Sequence, residues 1–337
     1  MNTIILTENV QTGKRLQATL SALSPRSIGI FRKKDILTAS DNFKEVEYIF
    51  SSWGMTRFSK EEIKKCLPKL KAIFYAAGSV KHFGKEFIES GIQIYTATKI
   101  NGIPVAEFVA AQIILANKGY YQATRTYRNL WHKRQYSQCY NHASHRPGNY
   151  KSKIGVVGCG NIGRMVLDKL SHYDLELYYY DPYVEEKAVK SFGAKRLSME
   201  EIFRKCDVIT THLPNIPELN DVINYSLLSL MKDNATFINT GRGAQINEDD
   251  LVKVMKEKPN ACALLDVTKQ DPLKYPCITK LMRRKNIFVS PHIAGSLGEE
   301  FNRMVEYVYE IYDTIINDKI NDLKEIPVSL SQIMQQT

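Results

Sequence analysis

Paired cysteines, long apolar runs and low-complexity tracts are all scarce in this chain. Its six cysteines, Cys66, Cys139, Cys159, Cys206, Cys262 and Cys277, include no Cys-x-x-Cys pair. That argues against a zinc site and against a disulfide frame, and no metal is expected. Four of them sit in apolar, element-like contexts, which predicts buried free thiols in a reducing cytosol. None has a context suggesting a nucleophile. No apolar run reaches the ~18 residues of a membrane span. The opening MNTIILTENVQTGK is too short and too polar for a signal peptide. A cytoplasmic protein without a membrane partner is expected. There is no internal repeat.

Charge is abundant but dispersed. The formal net charge is +10, yet the basic runs are short and scattered, among them Arg32-Lys33-Lys34, Lys64-Lys65 and Arg283-Arg284-Lys285. A nucleic-acid binder would gather its cations into a stripe or arm, so no nucleic-acid partner is expected. A basic surface still attracts anionic small molecules to a cleft. The 337 residues, 44% hydrophobic and 24% charged, suit two globular domains.

Two stretches alternate strand-like and helix-like segments. In residues 1–100 the strand candidates are 3–6, 27–30, 46–50, 72–76 and 92–96, with helices at 59–66 and 84–90. In the second stretch they are 153–157, 176–180, 208–211, 236–239, 261–265 and 287–289, with a weaker one at 194–196. Helices fit 161–172, 185–191, 198–204 and 248–257. Between the stretches the pattern predicts one helix from Pro104 to Arg128, with Pro104 in its first turn. Residues 131–150 have no clear period and read as an irregular, exposed excursion. Residues 298–317 form a last amphipathic helix, after which the chain soon ends, so no regulatory domain is expected. The alternation implies an α/β fold of two doubly wound parallel-sheet domains.

The segment KIGVVGCGNIGRMVLDKL holds Gly158-x-Gly160-x-x-Gly163 between a strand and an amphipathic helix. Gly158 permits the tight turn, Gly160 lets a pyrophosphate approach the backbone, and Gly163 lets the helix pack close to the sheet. The helix start, at Asn161 and Ile162, offers free N–H groups to phosphates. Asp181 follows eighteen residues past Gly163. An acid there binds the ribose diol and repels a 2′-phosphate, which argues for NAD over NADP.

Ligands of open parallel sheets bind beyond the carboxyl ends of the strands. The residues there in the second stretch are Thr240-Gly241-Arg242-Gly243, then Asp266 and Asp271-Pro272, then Ser290-Pro291-His292. A surface arginine, an Asp-Pro turn and an exposed histidine would each be unremarkable alone. Together they bring a cation, two acids and an imidazole to one sheet edge.

These motifs resemble the D-isomer-specific 2-hydroxyacid dehydrogenases. The resemblance rests on VGCGNIG, YYDPY, THLPNIPE, FINTGRGAQINEDDLV, ALLDVTKQDPL and SPHIAGS, and on LKAIFYAAGS and NGIPVAEF earlier. It implies a Rossmann NAD-binding domain, residues 101–297, inserted into a flavodoxin-like substrate domain formed by residues 1–100 and 298–337. It further implies that Arg242 binds the carboxylate and carbonyl oxygen of a 2-oxo acid and that His292 is the acid/base. Asp266 would hold the nicotinamide carboxamide, with His212, Pro214 and Thr240 also on the cofactor. The loop Ala77-Gly78-Ser79 would grip the substrate carboxylate through the N–H groups of Ala77 and Gly78. Asn101 and Glu107 match the NxxxVAE pattern. The family usually has a glutamate where this chain has Asp271; that acid orients the histidine and raises its pKa toward the working range. Asp271, one methylene shorter, is expected to serve through a small shift of its loop.

Substrate choice would fall to the loops 51–57, 76–83 and from Trp131 onward, with Trp53, Arg57, Lys81 and His82 as candidates. Glycerate, phosphoglycerate, glyoxylate, lactate and larger 2-oxo acids all stay open. The resemblance implies a homodimer, with Tyr120, Tyr121, Tyr127, Trp131, Tyr136 and Tyr140 suited to its interface. A non-catalytic NAD-sensing scaffold, akin to a co-repressor, is the alternative; the retained arginine and histidine weigh against it.

Overall fold

The computed structural model describes residues 2–24, 28–127, 135–271, 277–317, 319 and 325–335. It divides into two compact units, residues 1–101 with 296–337, and residues 102–295.

The first unit holds β1 (Thr3–Leu6), β2 (Ile30–Phe31), β3 (Tyr48–Ser51), β4 (Ala72–Tyr75) and β5 (Gln93–Thr96). They form one parallel sheet in the order β2-β1-β3-β4-β5. These strands read as nearly continuous apolar runs because both faces are covered. The side chains alternate between two cores. Ile4, Leu6, Ile49, Ile73 and Ile94 pack on one face with Ile63 and Phe87 of the helices Lys60–Cys66 and Gly84–Glu89. Ile5, Phe50, Phe74 and Tyr95 pack on the other with Leu16, Leu20, Met304, Val305 and Val308. That second layer joins the helix Val10–Leu23 to Glu300–Ile316, so the end of the chain completes the sheet on which the chain began.

The second unit holds β6 (Lys153–Val157), β7 (Glu176–Tyr180), β8 (Lys195–Arg196), β9 (Val208–Thr211), β10 (Thr236–Asn239), β11 (Cys262–Leu265) and β12 (Ile287–Val289). The order is β12-β11-β10-β9-β6-β7-β8, all parallel. The chain builds outward from β6 to β8, returns, and then builds the other way from β9. The carboxyl ends of β6 and β9 therefore flank the topological switch point, where such sheets open a crevice.

Several elements differ from the pattern read in the sequence. The helix expected from Pro104 to Arg128 is two, Thr98–Asn117 and Tyr120–Tyr127, and Gly119 at φ +66° makes the break. Pro104 lies in the second turn, not the first. Thr98–Asn117 is long and apolar enough to cross a membrane by composition, and its Val105, Ala106, Val109 and Ile113 lie in the core of the second unit. Within the stretch read as irregular, Gln135–Ser144 is a helix. It carries no apolar stripe, so periodicity could not reveal it. Residues 185–191 form two 3-10 turns, Glu186–Ala188 and Lys190–Phe192, closed by Gly193 at φ +69°. Strand 27–30 shifts to Ile30–Phe31 at the sheet edge, with Ser27 outside the described residues. The helix Val10–Leu23 had no reading in the sequence, since only Leu16 and Leu20 among its larger side chains are buried. Cys66, Cys159, Cys206 and Cys262 are buried free thiols.

Candidate active site

The turn after β6 is shaped by close approaches. Gly158 has φ +90°, and a Cβ there would stand 2.8 Å from the His212 carbonyl. A Cβ on Gly163 would stand 2.0 Å from the Gly158 oxygen, so only hydrogen fits. A Cβ on Gly160 would meet nothing within 4 Å. Gly160 is the cap residue of the helix Asn161–Leu170 and supplies no side-chain acceptor, so the first N–H groups face this open space. A bare backbone bay at a positive helix end fits a pyrophosphate.

The Asp181 carboxylate braces the same turn. Its Oδ2 accepts from Cys159 N at 2.8 Å, and its Oδ1 from Tyr183 N at 2.9 Å and Val184 N at 3.0 Å. One lone pair of Oδ2 is left for a ribose hydroxyl. Arg196, at the end of β8, donates to the Asp181 carbonyl at 2.7 Å, a neighbour the sequence reading missed.

Across the switch point, β9 runs into His212, which is half-buried and meets Thr210 Oγ1 through Nε2 at 3.1 Å. Burial pushes its pKa down to about 3, so the ring is neutral. His212 Nδ1, Thr211 Oγ1 and Thr240 Oγ1 are buried with no partner among the described residues. Buried polar groups normally find partners, so such atoms at a strand edge fit a polar ligand. Pro214 lies two residues past His212, and its carbonyl accepts from Gln245 Nε2 at 2.9 Å.

Arg242 follows β10. Its Nη1 donates to the Gly241 carbonyl at 2.8 Å, burial lowers the pKa of its guanidinium, and the nearby Asp271 charge raises it. The loop is pressed onto the next strand end: a Cβ on Gly243 would stand 1.9 Å from the Thr268 carbonyl carbon.

Asp266, only 2% exposed, directly follows β11 and organises the loop after β12. Its Oδ1 accepts from Ser290 Oγ at 2.5 Å and Ile293 N at 2.9 Å, and its Oδ2 from Ala294 N at 2.8 Å. Its carbonyl takes His292 N at 3.1 Å. These bonds hold His292 at φ +55°, a backbone region that a residue with a side chain rarely adopts. The half-exposed imidazole is hydrogen-bonded through Nδ1 to Asp271 Oδ2, which leaves Nε2 free of that contact. The shorter aspartate therefore reaches the ring. Pro272 lies outside the described residues.

In the first unit, Ala77, Gly78 and Ser79 follow β4. Ala77 N–H is bonded to the Tyr75 carbonyl at 2.8 Å, whereas Gly78 N–H has no backbone partner among the described residues. Ser79 Oγ accepts from Lys81 N at 3.4 Å. Asn101 Oδ1 accepts from Ser296 N at 3.1 Å, and its Nδ2 lies 4.0 Å from where a Gly78 Cβ would stand. Trp53 packs against Phe301 with the rings tilted and their centroids 5.8 Å apart, Arg57 donates to the His82 carbonyl, and His82 Nε2 meets Met55 O at 3.0 Å. In the second unit Glu107 pairs with Lys169 at 3.3 Å. Trp131 lies outside the described residues. Among the described residues no group of His, Cys, Asp or Glu side chains could hold a metal.

The second unit thus gathers Gly158, Gly160, Asn161, Ile162, Gly163, Asp181, His212, Pro214, Thr240, Arg242, Asp266, Asp271 and His292 at the carboxyl edge of one sheet. Ala77, Gly78 and Ser79 hold the equivalent edge of the other. Three residues of the second unit had no place in the sequence reading: Arg196, Ser290 as a partner of Asp266, and Gln245. Position at a strand end was the only signal for Ser290.

Comparison with known proteins bears on this edge. The family model described as D-isomer specific 2-hydroxyacid dehydrogenase, NAD binding domain, matches residues 111–294. The chain is 28% identical to D-3-phosphoglycerate dehydrogenase of Methanocaldococcus jannaschii over 284 residues, 83% of this chain and 51% of that one. It is 28% identical to glyoxylate reductase of Korarchaeum cryptofilum over 255 residues, 74% of each. The chain spans about half the length of the phosphoglycerate dehydrogenases it matches. In fold it is similar to the NAD-complexed D-isomer specific 2-hydroxyacid dehydrogenase of Lactobacillus delbrueckii ssp. bulgaricus, with TM-score 0.77, 15% identity and coverage of 94% and 98% of the two chains.

Proposed function

This chain belongs to the D-isomer specific 2-hydroxyacid dehydrogenase family, and from that premise we propose that it interconverts a small 2-hydroxy acid and its 2-oxo acid with NAD(H). The observation that carries the reading is the His292–Asp271 pair on the sheet edge that also holds Arg242. A dinucleotide would be held by the bare turn Gly158–Gly163 and by Asp181, and the chemistry it would supply there is hydride exchange with C2 of the acid. Asp181 favours NAD by accepting a ribose hydroxyl and repelling a 2′-phosphate.

The chain's own residues do the rest. Arg242 binds the carboxylate and polarises the carbonyl oxygen, two roles its forked donors suit. His292 gives a proton to that oxygen from Nε2 during reduction and removes it during oxidation. Asp271 fixes the ring through Nδ1 and so aims Nε2 at the substrate oxygen. Asp266 acts chiefly as a positioning residue, because three of its four lone-pair directions already hold the His292 loop; the remaining Oδ2 direction is available to the nicotinamide carboxamide. Gly78 N–H is the donor the first unit offers to a substrate carboxylate.

The test is NADH oxidation with a panel of 2-oxo acids: glyoxylate, pyruvate, hydroxypyruvate, its 3-phosphate and a branched-chain oxo acid. NADPH is run in parallel. At least one should turn over with NADH preferred, and kcat/KM should fall at least ~10²-fold in His292→Ala. If no oxo acid gives His292-dependent turnover, the proposal fails. A homodimer is part of the same proposal, supported by the exposed Tyr120, Tyr127, Tyr136 and Tyr140. A monomeric mass by light scattering at micromolar concentration would refute it.

A further inference from the structure

Gln245 lies in the 3-10 turn Gly243–Gln245, just past Arg242, and is 1% exposed. Its Nε2 donates to two carbonyls of one loop, Leu213 O and Pro214 O, both at 2.9 Å. That loop begins at His212, whose backbone abuts Gly158 so closely that a Cβ on the glycine would stand 2.8 Å away. A continuous path therefore runs from the dinucleotide turn through residues 212–214 to Gln245 and the Arg242 turn. The far side of the Arg242 turn is also held. Asp221 N donates to Ala244 O at 2.9 Å, Ile223 N to Gln245 O at 3.0 Å, and Asn239 Nδ2 to Arg242 O at 3.1 Å.

The neighbourhood would suit an apolar side chain, since Ile223 and Ile246 beside it belong to a hydrophobic core. The amide is moreover only half satisfied: Gln245 Oε1 is buried and has no partner among the described residues. A buried acceptor left unpaired lowers stability, so fold stability alone does not account for a glutamine here. What the amide provides, and an apolar residue cannot, is a pair of donors linking two strand-end loops.

We propose that Gln245 is a positioning residue that clasps the Arg242 turn to the loop beneath the dinucleotide turn, so that cofactor and oxo acid bind cooperatively. The inference rests on the dehydrogenase reading above. A dinucleotide seated on Gly158–Gly163 orders residues 212–214, and the two hydrogen bonds carry that order to the turn presenting Arg242. Such coupling is reciprocal, so the acid tightens the dinucleotide by the same factor.

The test measures the Kd of NADH by fluorescence, with and without saturating oxamate as an unreactive analogue of a 2-oxo acid. The wild type, Gln245→Leu and Gln245→Glu are compared. Oxamate should tighten NADH at least ~5-fold in the wild type. In Gln245→Leu the tightening should shrink to within about twofold, because both donors are gone. Gln245→Glu supplies a readout that packing alone would not move. Its protonated carboxyl donates one hydrogen bond, whereas its carboxylate repels the two carbonyls. Coupling in this variant should be present at low pH and disappear as pH rises, with no matching change in the wild type. Unchanged coupling in Gln245→Leu, no oxamate effect in the wild type, or a wild-type-like pH profile in Gln245→Glu would each overturn the clasp. A wild type that binds no NADH would instead overturn the dehydrogenase reading itself.

Discussion

The two sheets share a parallel architecture, yet their carboxyl edges are furnished differently. In the first unit β3 and β4 run into Ser51, Ser52, Ala76 and Ala77, all almost wholly buried. The serine hydroxyls are spent on main-chain carbonyls, Ser51 on Leu6 O at 2.5 Å and Ser52 on Ala76 O at 2.7 Å. That edge presents backbone. In the second unit β9 to β12 run into His212, Arg242, Asp266 and His292, and three of those four come with a second ionisable partner or a loop built around them. The architecture determines where a ligand can lie; residue type decides whether the edge only holds it or can also move a proton.

The largest expected effect breaks or upholds that division. His292→Ala should lower kcat/KM for the oxo acid by ~10²–10⁴-fold while NADH affinity stays within about twofold. Asp271→Asn should alter the pH–rate profile, because the ring loses its charged partner; superimposable profiles would remove Asp271 from the mechanism. If Gly78→Ala cost as much as His292→Ala, the two edges would not divide their labour as described.

Next in size is a contrast within the dinucleotide turn. Gly163→Ala places a Cβ against the Gly158 oxygen, where 2.0 Å is available. It should destabilise by about 1–3 kcal/mol in urea titrations and abolish tight NADH binding. Gly160→Ala meets nothing within 4 Å. It should leave stability within about 0.5 kcal/mol and weaken only NADH. Equal losses of stability in both would show that the bay at Gly160 is not open to a ligand.

His212 sharpens the comparison through pH. Its folded pKa of about 3 lies below the ordinary 6.5 because burial penalises the charged ring. Above pH 6.5 both folded and unfolded forms are neutral, and stability is complete. As pH falls below 6.5 the unfolded chain takes up a proton that the folded chain refuses until about pH 3. This one group should therefore cost about 1.4 kcal/mol per pH unit over that window. His212→Asn should lose about 2 kcal/mol less than the wild type between pH 7 and pH 5, by urea unfolding. Parallel losses would mean that the ring is not held neutral.

The smallest effect belongs to the backbone edge. A Cβ on Gly78 meets only Asn101 Nδ2, at 4.0 Å. Gly78→Ala should leave stability within about 0.5 kcal/mol and raise only the KM of the oxo acid. A fall in melting temperature without a change in KM would assign this glycine to structure.

Much of this was legible in the sequence. Buried parallel strands such as Lys153–Val157 and Thr236–Asn239 are short apolar runs closed by glycine or polar residues, and they appear with the bounds expected of them. Helices escaped notice where burial does not follow a stripe. Val10–Leu23 packs through two leucines and a bare Gly13, and Gln135–Ser144 carries no apolar face. The break at Gly119 was also missed, because apolar residues continue on both sides of it. Within the site, Arg242, Asp271 and His292 stand in recognisable local motifs. The work of Asp266 and Gln245 does not, because their partners lie far along the chain and come close only when neighbouring strands align.

The sequence by itself determined that this is an α/β chain with a glycine-rich dinucleotide turn, and which residue types stand at each strand end. Local spacing and period encode these, and no distant contact is needed to read them. The family resemblance implied that the last long helix belongs with the first sheet and that Asp271 serves His292, and the tertiary structure supplies the contacts: Met304, Val305 and Val308 against Phe50 and Phe74, and Asp271 Oδ2 on His292 Nδ1. Tertiary structure alone decided that Asp266 holds the histidine loop in a strained backbone conformation, and that Gly163 but not Gly160 is closed to a side chain. Each of these depends on which strands become neighbours, and that is settled by burying two faces of each sheet at once.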